Sequence, residues 1–245
     1  MKEENIMILE EQLAIDYDCT VEEVRSDKNV FRLTKVNENA RPISDSEVFL
    51  KVAVYREKLL VMADEKILDW FKNDLGQYDG VWLSEPENLI KINDKLKEYG
   101  HRLADIHHYY IPSPYAPVME ERFPVKWYKE DEIKIFEGDD RFGEAILFDE
   151  NTPDMLAVCT MEDDKILGMA GATKDTKKMW QIGVNVTDDG KGKGVGGYVT
   201  GLLKEALLKQ GILPFYATVE SHIKSQKVAI QAGFEPVFYE MFSEG

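Results

Sequence analysis

The sequence predicts an α+β (mixed α/β) fold in two parts, and three observations lead there. The first part mixes helical stretches with a β-branched, aromatic segment, and Pro112, Pro114 and Pro117 then punctuate a short loop. The second part runs through several strand-like segments joined by short turns, and ends its run in a strand, a glycine turn and a helix in direct order. At 245 residues the chain suits two domains or one with a large extension, and a division at 118/119 follows from the proline loop. Hydrophobic residues make up 44% and charged residues 31%, which excludes a disordered or collagen-like chain.

Within the first part, Ile6, Leu9 and Leu13 recur at helical spacing over residues 3–16, and Thr20 with Glu23 has the form of a capping box. Val48 to Met62 is β-branched and aromatic, with Arg56-Glu-Lys58 as a turn between two strands. Glu65 to Leu75 places Ile67, Leu68 and Phe71 on one helical face. Ser84, Pro86 and Glu87 resemble a capped helix start, Gly100 ends that helix, and Leu89, Ile92, Leu96 and Tyr99 form its apolar stripe. Leu103 to Ile111 reads as a strand.

In the second part, a strand at Val125 to Tyr128 precedes helical sequence over 131–149. Leu156 to Met161 and Ile166 to Thr173 read as antiparallel strands joined by Asp163-Asp164-Lys165, and Trp180 to Val186 as another. Val195, Tyr198, Val199, Leu202, Leu203 and Ala206 then fall at helical spacing, with Gly211 just past the helix end.

A net charge of −16 disfavours a phosphate backbone as partner, so no nucleic acid is expected. Gly183 to Gly233 departs from that balance, with four acids against six lysines. Cys19 and Cys159 lack any paired spacing, and the His107-His108 pair lacks ligand-spaced companions, so neither a disulfide framework nor a metal site is expected. The acidic, amphipathic N-terminal sequence and the lack of an 18-residue apolar run lead to the expectation of a cytoplasmic protein without a membrane segment.

Six of the twelve residues from Gly190 to Gly201 are glycine, a density that costs folding entropy and calls for a reason. Unpaired amides at a helix start, together with the helix dipole, favour phosphate, and Lys191 and Lys193 add positive charge. A tight turn with close helix packing is the structural alternative. The P-loop is excluded, because no lysine followed by serine or threonine completes it. A dinucleotide fingerprint matches Gly192, Gly194 and Gly197, with Glu220 as a ribose-binding acid, and would make the chain an NAD(P)-binding oxidoreductase. Against it, Thr187 to Lys191 separate the strand from the first glycine, and only 48 residues follow Gly197.

These residues resemble the GCN5-related N-acetyltransferase (GNAT) family over roughly 125–245. Lys191-Gly-Lys-Gly194-Val-Gly196 is similar to that family's pyrophosphate loop, with lysine in the place of arginine or glutamine. Val184-Asn185-Val186 resembles its fourth strand and Pro214 to Glu220 its fifth, where Phe215, Ala217 and Val219 alternate with Tyr216, Thr218 and Glu220. The run from His222 through Ser225, Lys227 and Val228 to Gly233-Phe234 is similar to the family segment that starts with asparagine and ends in glycine-phenylalanine. The resemblance implies an acyl-CoA N-acyltransferase fold, a central, mostly antiparallel sheet flanked by helices, in a 119–245 domain preceded by a smaller α+β domain over 1–118. It implies acetyl-CoA (coenzyme A) as cosubstrate, with no metal. The implied cofactor contacts are Val184, Asn185, Val186, Lys191, Gly192, Lys193, Gly194, Val195, Gly196, Gly197, His222, Ser225 and Lys227.

The implied reaction is transfer of an acetyl group to the primary amine of a small-molecule or peptide acceptor, by direct attack on the thioester. Placement and a backbone amide near Val186 would supply most of the acceleration. Ala229 stands where many members carry the tyrosine that protonates the departing thiolate, which keeps open an acetyl-CoA-binding or sensing module with little catalysis. Candidate acids or bases are Glu220, His222 and Tyr239, and Asn185 is a candidate for orienting substrate or water. The first part would complete the acceptor cleft or form a homodimer contact.

Overall fold

The computed structural model describes residues 2–42, 48–116 and 118–245, and Pro117 of the proline loop lies outside the described residues. The chain forms two compact units: an N-terminal unit of Leu9–Tyr109 with Val237–Gly245, and a C-terminal unit of Tyr110–Pro236 with the residues up to Ile8. The division falls at 109/110 rather than 118/119, and Val237–Gly245 joins the N-terminal unit because the last strand returns to pair there, a long-range event that local composition does not record.

Helices α1 (Lys2–Asp16) and α2 (Val21–Arg25) open the chain, and the Thr20–Glu23 capping box is formed at α2 as expected. Strands β1 (Val30–Leu33), β2 (Leu50–Tyr55) and β3 (Lys58–Ala63) follow, then helices α3 (Glu65–Asp74) and α4 (Pro86–Lys97) and strand β4 (Arg102–Pro112). The hairpin between β2 and β3 turns on Arg56 and Glu57, both at positive φ, a two-residue turn whose twist matches its strands. β1, four residues long and without a sequence signal, pairs in parallel with β3. Leu50, Val52, Val61, Ile67, Phe71, Ile92 and Leu96 fill the core between sheet and helices.

Two details of α4 differ from expectation. Its N-cap is Glu85 without a side-chain bond, not Ser84, because Asn88 Nδ2 donates to the Trp82 carbonyl and closes a short turn immediately before it. Tyr99 falls past the helix end at Lys97 and is exposed, so the stripe ends at Leu96.

The C-terminal unit contains β5 (Val125–Lys129), α5 (Glu130–Ile133), β6 (Asp154–Glu162), β7 (Lys165–Thr173), β8 (Met179–Val186), α6 (Val195–Leu208), β9 (Leu213–Val219) and α7 (Ile223–Gln231). β10 (Phe234–Glu244) starts there and, from Phe238 to Phe242, runs antiparallel to β2 in the N-terminal unit. β5, β6, β7 and β8 pair in that order, all antiparallel, and β9 pairs with β8 in parallel. The helix expected over 131–149 is instead one turn, α5, followed by 3-10 turns at Lys134–Phe136 and Asp140–Phe142. Gly138 at φ +80° breaks the helical path, and the segment is held by Phe136, Phe142 and Ile146 packing on Ala157 and Met169. On the other face, Val195, Val199, Leu203 and Leu207 of α6 pack with Val158, Leu167, Ala170 and Ile182.

The β8–β9 ladder covers only Met179↔Leu213 to Gln181↔Phe215, although β8 continues to Val186 and β9 to Val219. Beyond Gln181 the two strands part. That parting positions the site.

Candidate functional site

A cavity of about 640 Å³ opens where β8 and β9 separate. Val184, Asn185 and Val186 line one side, Gly190 to Gly197 one end, and His222, Lys224, Ser225, Val228 and Gln231 the α7 side. Strand residues with no partner on one edge keep backbone donors and acceptors available to a ligand.

The glycine turn divides by physical role. Gly192 and Gly194 both adopt φ +76°, in the left-handed region that L side chains rarely enter, and Gly194 is the N-cap of α6 without a side-chain capping bond. The first amides of α6 thus start from a bare backbone cap at the end of the cavity. Gly196 and Gly197 serve packing instead. A Cβ at Gly196 would lie 3.1 Å from Val228 and 3.2 Å from Val186, and one at Gly197 2.8 Å from Gln231 Cβ. A bare-backbone helix cap and close helix packing therefore coexist in one motif.

The lysines of this turn are paired. Lys191 Nζ donates to Asp188 Oδ1 at 2.5 Å, which holds the Asp188 carboxyl below its ordinary range, and Lys193 Nζ donates to Glu162 Oε2 at 2.6 Å. Lys191 lines the cavity; Lys193 lies outside its lining, as does Lys227. The cavity side of α7 carries Lys224, Ser225, Val228 and Gln231, and Lys227 is turned one helical step, about 100°, away from the cavity-facing Val228.

Asn185 faces the cavity, and its Oδ1 accepts the backbone N–H groups of Glu144 at 2.9 Å and Ala145 at 2.8 Å. Its carboxamide oxygen is thereby committed to holding that segment rather than a substrate. The segment lies directly on the sheet: a Cβ at Gly183 would fall 1.7 Å from the Glu144 carbonyl oxygen, and one at Gly171 1.8 Å from that of Ala145. Glu144 consequently reaches the cavity rim, a position absent from the sequence-based candidates because its signal is two glycines on neighbouring strands.

The remaining candidates separate. His222 is the exposed N-cap residue of α7 and lines the cavity. Glu220 lies at the end of β9 outside the lining, where its backbone carbonyl accepts from Gln226 Nε2. Tyr239 belongs to the N-terminal unit and packs against that unit's core, so the structure does not bring it among the lining residues. Ala229 is fully buried in the core. Tyr216, by contrast, lines the cavity, with its hydroxyl 2.8 Å from Ser225 Oγ.

Among the described residues, no group of three His, Cys, Asp or Glu side chains could hold a metal ion, and no helix is long and apolar enough to cross a membrane. Cys19 and Cys159 are both free thiols.

No protein-family model matches the sequence, and no curated protein matches it. Solved structures similar to the chain include a GNAT-family acetyltransferase from Colwellia psychrerythraea, at 14% identity over 59% of this chain and 57% of that one, with a TM-score of 0.44. A GCN5-related N-acetyltransferase-like protein from Streptococcus suis is 14% identical over 64% of this chain and 68% of that one, with a TM-score of 0.47. A GCN5-related N-acetyltransferase from Kribbella flavida is 17% identical over 61% of this chain and 62% of that one, with a TM-score of 0.42. The matched region thus spans less than two thirds of two of these three chains. The C-terminal unit has a mixed α+β fold around a mostly antiparallel sheet. In it, the antiparallel run and the glycine turn at the head of α6 stand in the order that the sequence resemblance implies, and the parting of β8 from β9 is added by the structure.

Proposed function

We propose that the protein is an N-acetyltransferase that moves the acetyl group of acetyl-CoA to a primary amine of a small-molecule or peptide acceptor by direct attack. The observation that carries this reading is the alignment of the open β8 edge, Val184 to Val186, with the bare-backbone cap of α6 at Gly194 in one cavity. An extended amide-bearing arm matches an unpaired strand edge, and a pyrophosphate matches a helix N-terminus. Lys224 adds positive charge to the lining.

The attack step rests mainly on placement. The amine nitrogen bonds to the thioester carbon while the C–S bond breaks, and holding the two reactants in contact removes much of the barrier. A β8 amide beside the thioester oxygen would stabilise the charge that develops there. Glu144, held at the rim through its backbone by Asn185, is placed to attract a cationic amine.

Acetyl-CoA at millimolar concentration should raise the melting temperature, and a panel of primary amines should reveal acetyl transfer. The absence of any thermal shift would sink the proposal. Binding without transfer to any amine would favour a sensing module, a reading that the buried Ala229 at the expected tyrosine position supports. Protection by a nicotinamide dinucleotide would favour the oxidoreductase alternative, against which stands the antiparallel pairing of β5 to β8.

A further inference from the structure

Tyr216 is the first residue of β9 beyond its last pair with β8, so it stands at the point where the strands part. Its side chain is buried, with 4% exposure, yet lines the cavity, and its hydroxyl meets Ser225 Oγ of α7 at 2.8 Å. A pyrophosphate at Gly192 to Gly197 and an extended arm along Val186 to Val184 would carry the reactive end of the cofactor away from the glycine turn, toward Tyr216 where the strands part.

We propose that Tyr216, assisted by Ser225, is the catalytic acid that protonates the departing thiolate. This rests on the function proposed above. As the amine nitrogen bonds to the carbonyl carbon, the C–S electron pair goes to sulfur and the Tyr216 hydroxyl gives sulfur its proton. The proton lost by the amine enters solvent, and Tyr216 recovers one from solvent through Ser225 Oγ, so the products are the amide and the free thiol.

Burial raises the phenol's proton affinity; Ser225 opposes this, while Glu144 and Tyr110 reinforce it. The other ionisable groups facing the cavity are Lys191, Lys224 and His222. Tyr216 therefore stays protonated at neutral pH, when a thiol, with an ordinary pKa of about 8.5, is still a good proton acceptor as thiolate.

Coenzyme A itself is the probe, and no acceptor is needed. Its bound thiol can be titrated through the ultraviolet absorbance of the thiolate, with binding followed by calorimetry and folding by thermal melts. A phenol that donates to the thiolate lowers the thiol pKa, so in Tyr216→Phe the bound thiol should titrate about one unit higher than in the wild type. Phenylalanine alters no charge, which isolates the hydrogen bond. Ser225→Ala should shift the thiol in the same direction by less. Equal thiol titration in wild type and Tyr216→Phe, with coenzyme A bound to both, overturns the proposal. If Tyr216→Phe does not fold, an unchanged thiol in Ser225→Ala overturns it. Failure of the wild type to bind coenzyme A overturns the cofactor reading instead.

Discussion

Arg41 donates to Asp16 Oδ2 through Nε at 2.5 Å, and both side chains are buried in the N-terminal unit. The same guanidinium reaches Glu240 of β10 at 3.0 Å, and Tyr17 donates to that carboxylate at 2.7 Å. Lys51 Nζ donates to the Asp16 carbonyl at 2.7 Å. The C-terminal strand is thus tied into its sheet by charge as well as by its ladder with β2.

Arg41→Met should destabilise the protein by about 3–5 kcal/mol, because it leaves Asp16 and Glu240 buried without their shared cation. Urea unfolding followed by circular dichroism measures it. Adding Glu240→Gln to that variant should recover part of the loss, and a loss below about 1 kcal/mol would show that the network is not holding the strand.

Stability should decline at alkaline pH. The fold holds the Cys19 thiol up to about 11 and the Tyr55 hydroxyl up to about 12, in both cases mainly through burial. A group that keeps its proton longer when folded contributes its full stability below the unfolded pKa, and loses it as pH rises toward the folded value. Urea midpoints should therefore fall from about pH 9 upward, and a flat profile to about pH 12 would contradict these burial effects.

Asn185→Ala removes the acceptor of two backbone N–H groups, at Glu144 and Ala145. The loss should be about 1–3 kcal/mol, and the KM for an amine acceptor should rise more than that for acetyl-CoA. Asn185→Asp, which keeps an acceptor oxygen, should restore most of the stability.

Gly194→Val should weaken acetyl-CoA binding by about tenfold or more, because a β-branched residue at φ +76° costs about 1–2 kcal/mol and shifts the amides at the head of α6. Calorimetry reads the affinity and a thermal melt the fold. Unchanged affinity with the fold intact would place the pyrophosphate elsewhere.

Gly183→Ala should destabilise by about 1–3 kcal/mol or more, since its Cβ would fall 1.7 Å from the Glu144 carbonyl oxygen. The thermal melt should drop, with acceptor turnover falling further as Glu144 is displaced from the rim.

The elements legible in the sequence are those with local causes. The Thr20–Glu23 box, the Asp163–Asp164 turn and the α6 stripe each depend on residues a few positions apart, and each forms where expected. The segment over 131–149 reads as a helix because its apolar spacing suits one, whereas Gly138 and the packing of Phe136 and Phe142 give short turns. β1 escapes detection because four residues carry too little pattern.

The α+β class, the order of strand, glycine turn and helix, and the positions of Gly192 and Gly194 can be read from the chain alone, because they follow from local periodicity and from backbone conformations that glycine adopts most readily. Folding in three dimensions adds the rest: β8 and β9 part after Gln181, Asn185 secures Glu144, Tyr216 meets Ser225 in the cavity, and Val237–Gly245 joins the N-terminal unit. Those relations join residues far apart in the chain, through close packing and buried hydrogen bonds whose partners no local pattern names.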